Sequence, residues 1–232
     1  MGRTFHLVVV RHGETDSNRT KTIQGHLDTP LSRLGEEQAA LVAAHLSTTT
    51  FHLCLTSDLR RAAATGEAIV AARDGNPPLE RWQLARERSF GVCEGRPAEV
   101  LQELVAAARG RGGMLDWGPE GGETGRQFRE RVRRCLEELC ARVEGVEEEE
   151  PTVLLTTHGG FIKELNSVLV AEHGCRMPGK AGQHERICPN TGVSRYTVEV
   201  EGGRVAAVAC SLLHHREHLG AREGEEPVLY GV

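Results

Sequence analysis

The sequence predicts an α/β sandwich, a three-layer fold in which helices cover both faces of a mostly parallel central sheet. Residues 5–10 and 152–157 are short apolar and β-branched runs, typical of strands that are buried on both faces. Helical patterns lie between them, which favours parallel strands joined by crossover helices. Residues 194–213 indicate two antiparallel strands around the turn Glu201-Gly202-Gly203, at the edge of the sheet.

Four amphipathic segments predict the flanking helices: 34–46, 59–73, a segment that opens at Pro97, and 128–143. A shorter apolar run, 53–56, indicates one more strand. The acidic residues 144–151 are interpreted as a solvated connection. In the third helix the apolar face is expected to comprise Leu101, Leu104, Val105 and Ala108, and in the fourth Phe128, Val132, Cys135, Leu136, Leu139, Cys140 and Val143.

Composition limits the possible classes of protein. A chain of 232 residues, 39% hydrophobic, can bury one full core, so a single domain over 1–232 is expected. The net charge of -5 argues against a nucleic-acid partner. Seven scattered cysteines without a CxxC pair fit neither a disulfide framework nor a zinc site, and favour a reducing compartment. Since no apolar run approaches about 18 residues and no signal peptide is evident, we expect a cytoplasmic monomer without membrane contact.

Chemically active residues follow the predicted strands. Arg11-His12-Gly13 comes directly after the first strand, and His158-Gly159-Gly160 follows the later one. Because the carboxyl ends of parallel strands meet at one rim of the sheet, both imidazoles are expected there. The segment "TSDLRRAAAT" adds Arg61 one turn into its helix, and "LARERSFGVCEG" adds Glu87. Two arginines, two histidines and one carboxyl group suit phosphoryl transfer through a phosphohistidine.

Each residue type has a reason to be in such a site. Guanidinium groups bind phosphate oxygens bidentately and keep their charge, so they supply what a metal ion would otherwise bring, and no cofactor or metal is expected. Positive neighbours lower the pKa of His12, and an acceptor on Nδ1 would leave Nε2 free to attack phosphorus. Glu87 can protonate the leaving alkoxide, provided that the incoming phosphate keeps it protonated, and can later activate water.

Six ordered segments resemble the histidine phosphatase superfamily, in the branch that contains phosphoglycerate mutases and fructose-2,6-bisphosphatases. They are "VVRHGETDSN", "QGHLDTPLS", "TSDLRRAAAT", "RERSFGVCEG", "GGET" and "TTHGG". The resemblance implies a phosphoglycerate mutase-like sheet and a small phosphorylated metabolite as partner. It also implies His12 as nucleophile and Glu87 as proton donor, with a phosphate pocket of Arg11, Arg61 and His158, a further phosphate contact at Asn18, and substrate contacts at Gln24, Gly25 and Gly159.

The segments "KTIQG", "RERSFGVCEG", "GGET", "PNTGVS" and "REHLG" are most similar to the fructose-2,6-bisphosphatase members. This resemblance implies hydrolysis of fructose 2,6-bisphosphate to fructose 6-phosphate and phosphate. Basic residues beyond the first pocket, Lys163, Arg88 and Arg96, could bind the second phosphate. The alternative is that they face solvent, and for Arg96 that alternative has at least equal weight.

Other activities stay open at this point. A mutase must shield its phosphohistidine from water, and residues 109–122 are a short, glycine-rich segment where we would expect longer covering elements in a mutase. A broad-specificity or bisphosphoglycerate phosphatase would use the same residues. A non-catalytic scaffold that binds a phosphoprotein is the alternative outside enzymology, although every residue of the catalytic motifs is present.

Several candidate residues also have simpler interpretations. Arg60 is expected at the surface, and Glu87 could belong to an exposed salt-bridge network with Arg86 and Arg88, which would leave Glu94 as the acid. Gly121-Gly122 could present N–H groups to an anion or form a simple turn before a helix that begins near Thr124. His214, His215 and His218 could suggest a metal cluster, but a solvated C-terminal segment is preferred, because no carboxylate or cysteine falls at ligand spacing beside them.

Overall fold

The structure, a computed structural model, describes residues 2–108 and 115–220. Its six strands are β1 Arg3–Arg11, β2 Leu53–Ser57, β3 Leu79–Trp82, β4 Thr152–Thr157, β5 Val193–Glu201 and β6 Arg204–His215. They form one sheet in the order β3-β2-β4-β1-β5-β6, in which the first four strands pair in parallel, β5 pairs antiparallel with β1, and β6 pairs antiparallel with β5. The predicted sheet is therefore confirmed. The sequence analysis missed β3, a four-residue edge strand with two exposed side chains.

Six helices flank the sheet: α1 Asp16–Arg19, α2 Arg33–Leu46, α3 Arg60–Ala71, α4 Ala98–Ala108, α5 Gly125–Glu144 and α6 Gly159–His173. All seven positions of the stripe predicted for α5 are buried. The face predicted for α4 is partly wrong. Leu101 and Val105 are buried in a small cluster with Ile23 and Cys93, whereas Leu104 is 39% exposed, because this peripheral helix packs along one narrow stripe. The side chain of Ala108 lies outside the described residues.

The three layers follow from the alternation of side chains along β1. Phe5, Leu7 and Val9 pack into the cluster that contains the buried faces of α5 and α6. Val8 and Val10 pack on the opposite side, with α2 and α3. Helices on both faces explain why this strand is apolar at consecutive positions, as is usual in parallel sheets.

The register of the sheet positions the candidate residues. Arg11, the last residue of β1, pairs with Thr157, the last residue of β4. The residues that follow, His12 and His158, therefore leave the sheet at the same level. On the other side of β1, the hairpin of β5 and β6 turns at Gly202 and Gly203, whose φ angles are 58° and 74°, as a type I′ turn requires.

The cysteines and the helices can be compared with the expectations from composition. All seven cysteines are free thiols, and six of them are buried. Among the described residues, no helix has the length and apolar character needed to cross a membrane. The side chains of residues 147–150 are exposed, so this part of the acidic connection is solvated as predicted.

Candidate active site

A cleft opens beyond the carboxyl ends of β1, β2 and β4. Its wall combines polar and apolar side chains, as is usual for pockets that bind small molecules. Its lining brings together nearly all of the residues selected from the sequence: Arg11, His12, Asn18, Gln24, Gly25, Arg61, Glu87, Arg88, Gly159 and Lys163. The apolar part of its wall consists of Ile23, Phe90, Phe128 and Ile187.

His12 is held in one tautomer by its neighbour. Its Nδ1 lies 2.7 Å from the carbonyl oxygen of Gly13, and because a carbonyl only accepts, Nδ1 must carry the proton. In the neutral ring Nε2 then keeps its lone pair. Burial, and then the charges of Arg61 and Arg11, hold the pKa of His12 well below its usual value. The arginines act as predicted, but burial is the larger cause.

His158 is fully buried and faces the edge of the His12 ring, with the ring centroids 5.2 Å apart. Its Nε2 lies 2.8 Å from Oγ of Ser57, and its Nδ1 has no hydrogen-bond partner among the described residues. Burial lowers the pKa of His158, and Arg61 and His12 contribute. Ser57 was missed by the sequence analysis, although its position at the end of a parallel strand, next to "DLRR", was a signal.

Backbone carbonyl groups orient the two arginines. Arg11 donates from Nη1 to the carbonyl of Cys188 at 2.7 Å. Arg61 donates from Nη1 to Leu27 and from Nη2 to Gly25, at 2.7 and 2.9 Å. Burial lowers the pKa of Arg61 to about 10, so the guanidinium keeps its charge at pH 7. The neighbouring Arg60 is exposed, as predicted.

Glu87 lines the cleft and is positioned by two backbone N–H groups. The N–H of Arg88 donates to Oε1 at 2.9 Å, and the N–H of Gly160, at the start of α6, donates to Oε2 at 2.8 Å. The alternative of an exposed salt-bridge network is wrong. Arg86 pairs with Asp58 at 2.6 Å, and Arg88 donates to carbonyl groups.

Glu94, the second candidate for the acid, organises a loop. Its Oε1 accepts hydrogen bonds from the N–H groups of His26 and Phe90, both at 2.9 Å. Glu94 is not among the residues that line the cleft. Of the two carboxyl groups, Glu87 is therefore the one placed to meet a bound substrate.

The predicted substrate loop is packed against the start of α1. Gln24 Oε1 accepts hydrogen bonds from the hydroxyls of Thr15 and Thr29, at 3.0 and 2.7 Å. Asn18 closes a capping box with Thr15. Gly25 has a φ of +51°, a conformation that side-chain-bearing residues rarely adopt, and this turn aims its carbonyl at Arg61. The loop and the phosphate pocket are thus one hydrogen-bonded unit.

The three basic residues considered for a second phosphate differ in position. Lys163 lies on α6 and lines the cleft. Arg88 also lines it, and its guanidinium packs over the rings of Phe90 and Trp117. Arg96 is exposed and does not line the cleft, so the solvent-facing interpretation is confirmed for this residue.

Asn190 and Thr191, in the segment "PNTGVS", hold the backbone of His12. Asn190 Nδ2 donates to the carbonyl of His12 at 3.0 Å, and the backbone N–H of Thr191 donates to the same oxygen at 3.3 Å. The sequence analysis assigned no role to them. Their motif resembles the family, but their contact with His12 joins segments that are far apart in the chain, so no local pattern predicts it.

Two further interpretations are settled by the structure. Gly121 and Gly122 lie in a turn, in which the Gly122 N–H donates to the carbonyl of Pro119, so this N–H is not presented to an anion. Thr124 caps α5 as predicted. The interpretation of a solvated segment at the C-terminal histidines is wrong, because all three are partly buried. Two of them lie against a histidine of α2, which the sequence analysis did not consider.

Comparison with known proteins agrees with this geometry. Residues 7–211 match the histidine phosphatase superfamily, branch 1, and the chain belongs to that family. Fructose-2,6-bisphosphatase TIGAR B of Danio rerio is 34% identical over 250 residues, which cover 93% of this chain and 96% of the relative. Glucosyl-3-phosphoglycerate phosphatase of Mycolicibacterium vanbaalenii is 36% identical over 174 residues, which cover 72% of this chain and 75% of the relative.

A solved structure shows the same fold. Native mycobacterial glucosyl-3-phosphoglycerate phosphatase superposes with a TM-score of 0.73 at 27% identity, over 92% of this chain and 100% of that one. The resemblance read from the six motifs is therefore confirmed at the level of family and fold.

Proposed function

We propose that the protein is a phosphatase that hydrolyses fructose 2,6-bisphosphate to fructose 6-phosphate and phosphate, through a phosphohistidine on His12. One observation carries the proposal: the Nδ1–Gly13 contact at the floor of the cleft leaves Nε2 of a neutral His12 as the nucleophilic atom. The resemblance to a fructose-2,6-bisphosphatase over nearly the whole chain supports the choice of substrate.

In the first step, Nε2 of His12 forms a bond to the phosphorus of the 2-phosphate as the bond from phosphorus to the sugar oxygen breaks. Glu87 transfers its proton to that oxygen, and fructose 6-phosphate leaves. In the second step, Glu87 takes a proton from water, whose oxygen attacks phosphorus and breaks the N–P bond. Inorganic phosphate leaves, and both groups return to their starting protonation states.

Arg11, Arg61 and His158 bind the phosphoryl oxygens in this scheme. Two guanidinium groups at the floor of a buried cleft can stabilise charge as it develops in the transition state, without any reorganisation. We therefore expect turnover to need no divalent metal ion. The check is to measure turnover in EDTA: a loss that a divalent ion restores would contradict this part of the proposal.

Two residues of the cleft are candidates for the distal phosphate. Lys163 and Arg88 both line it, and both carry positive charge outside the pocket formed around His12. A charge-assisted contact worth about 1.5–3 kcal/mol would favour bisphosphates over matched monophosphates by about tenfold or more in kcat/KM. Because two similar proteins are glucosyl-3-phosphoglycerate phosphatases, that ester is the main competing substrate.

The test combines trapping with a substrate panel. Enzyme quenched during turnover of substrate labelled in the 2-phosphate should carry acid-labile label on His12, and a His12→Ala variant should carry none. A matched His173→Ala variant, altered at the far end of α6, should label normally. Label at another residue would overturn the mechanism.

The panel comprises fructose 2,6-bisphosphate, fructose 1,6-bisphosphate, bisphosphoglycerate, phosphoglycerates, glucosyl-3-phosphoglycerate and a phosphopeptide. We expect the highest kcat/KM for the first. Equal activity on all compounds, or a preference for another compound, would support phosphatase activity but contradict fructose 2,6-bisphosphate as the substrate. Binding of the phosphopeptide without turnover of any compound would favour a scaffold.

A further inference from the structure

Three histidines converge away from the catalytic cleft, where the end of the C-terminal hairpin meets α2. His45 lies in the last turn of α2, His215 ends β6, and His218 lies in a short 3₁₀ turn, Glu217–Leu219. The His45 ring centroid is 5.3 Å from those of both other rings. One ring nitrogen from each residue falls within 4.8 Å of the others.

We propose that His45, His215 and His218 form a binding site for a divalent transition-metal ion, with Zn²⁺ as the best match. Imidazole nitrogen is a preferred ligand of zinc, cobalt and nickel, and three protein ligands plus water complete a tetrahedral zinc site. Zn–N bonds of about 2.0–2.1 Å need nitrogens about 3.4 Å apart, so small rotations of the three rings would close the site.

The hydrogen bonds of His218 prepare one ligand atom. Its Nε2 lies 3.1 Å from Oγ1 of Thr191, and that hydroxyl donates its own proton to the carbonyl of Asn190 at 2.8 Å. While the hydroxyl donates to Asn190, its oxygen can only accept from His218, and in the neutral ring Nε2 then carries the proton and Nδ1 the lone pair. Nδ1 is shielded from solvent and has no hydrogen-bond partner in the described part of the chain. An outer hydrogen bond that fixes the tautomer is usual for a metal-binding histidine.

The helix dipole of α2 favours a cation beside His45, which lies in the last turn of that helix. The carboxyl end of α2 presents the negative end of the helix dipole. Nearby, Glu217 and Arg195 act on His45 with opposite signs.

The site would stabilise the fold without entering the reaction. None of its three histidines lines the catalytic cleft. A bound ion would connect α2 to the end of β6, two elements that are distant in sequence. Binding to the folded state alone should raise the melting temperature by about 5–10 °C at a zinc concentration of about 100 times Kd.

The experiment uses the full chain without an affinity tag, stripped with EDTA and titrated with Co²⁺. One equivalent should produce the visible d–d absorption of a low-coordinate site, and Zn²⁺ should abolish it by displacement. The His45→Ala and His218→Ala variants should each weaken binding by more than the ~10- to 100-fold that loss of an outer partner costs. The Thr191→Val variant, which loses only the outer hydrogen bond to His218, should lose affinity for Co²⁺ by a factor within that range.

His173→Ala is the matched control, since it removes a histidine elsewhere and should bind Co²⁺ normally. His45 is exposed, so its variant should fold, which can be verified by the melting temperature without metal. A Kd for Co²⁺ above about 100 µM, or equal binding by the His45→Ala variant, would overturn the proposal. Normal Co²⁺ binding by the His218→Ala variant would also overturn the proposal, because Nδ1 of His218 is one of the proposed ligand atoms.

Discussion

His12 and His158 lie edge to face, with ring centroids 5.2 Å apart and ring planes at 60°. Each follows the last residue of its strand, and β1 and β4 are neighbours in register. Both rings are buried, and the charges of Arg11 and Arg61 act on both imidazoles. Two neutral rings beside two permanent cations make a site that attracts a phosphate dianion. Its consequences can be tested one residue at a time.

Glu87→Gln should lower turnover most for substrates whose leaving group is a strongly basic alkoxide that needs a proton. The amide keeps the shape of the side chain but cannot donate the proton, so kcat for a sugar phosphate should fall by about 10² to 10⁴. An activated aryl phosphate needs little protonation and should be affected much less. Comparison of the two substrates measures this difference.

The control for this prediction is Glu94→Gln. Because Glu94 holds the backbone of His26 and Phe90, its replacement should affect both substrates alike, mainly through stability and KM. A leaving-group effect in the Glu94 variant, with equal losses in the Glu87 variant, would move the acid role to Glu94.

The imidazole of His12 should stay neutral as the pH falls through 6.5. Its pKa is lowered first by burial and then by Arg61 and Arg11, so an NMR titration of the free enzyme should show no protonation of His12 near pH 6.5. In Arg61→Gln one of these causes is removed, and the titration should move to higher pH. The same variant should lose about 10² to 10³ in kcat, because a transition-state donor is lost. An unchanged titration would contradict the assigned cause.

The lowered pKa values of His12 and His158 also predict how stability depends on pH. The unfolded chain binds protons near pH 6.5, whereas both buried rings bind them only at lower pH. Their contribution is therefore fully present above pH 6.5 and is lost as the pH falls toward the folded-state pKa. Each ring should reduce the free energy of unfolding by up to about 1.4 kcal/mol per pH unit in that range. Urea unfolding from pH 7.5 downward measures the slope, and a flat profile would contradict it.

Lys163→Met should selectively weaken the use of bisphosphates. If Lys163 binds the distal phosphate, kcat/KM should fall by about tenfold for fructose 2,6-bisphosphate and little for a monophosphate. Arg96→Met is the matched control, because Arg96 is exposed and outside the cleft. Equal effects on both substrates would exclude Lys163 from the distal contact and leave Arg88 as the candidate.

Gly13→Ala should destabilise the fold at the edge of the site. A Cβ at Gly13 would lie 2.4 Å from the carbonyl oxygen of Gly35, a backbone atom that cannot move without shifting α2. We expect a loss of about 1–3 kcal/mol in the free energy of unfolding. Gly145→Ala is the control, since its Cβ would meet the carbonyl oxygen of Arg142 at an ordinary 3.6 Å and should change stability by less than about 0.5 kcal/mol. Denaturant unfolding of both variants is the measurement, and equal stabilities would show that the contact relaxes.

The sequence by itself determined the layers of the fold and most of the candidate catalytic set. Local sequence patterns are enough to predict the buried strands and the apolar stripe of α5, because strand burial and helix periodicity recur over several neighbouring residues. The positions that follow β1 and β4 are fixed once those strands are located. Once the sheet is taken as parallel, His12, His158 and Arg61 must meet at one rim. Selection of Arg61 over Arg60 needed only the resemblance to the family.

Only the tertiary structure decided contacts that join distant segments. Ser57 beside His158, Asn190 on the carbonyl of His12, and the roles of Glu87 and Glu94 all depend on how loops pack, and no periodicity records loop packing. His45 shows this most clearly. From the sequence, His45 is an ordinary exposed residue of α2. It contacts His215 and His218 only because the fold brings the end of β6 next to the end of that helix.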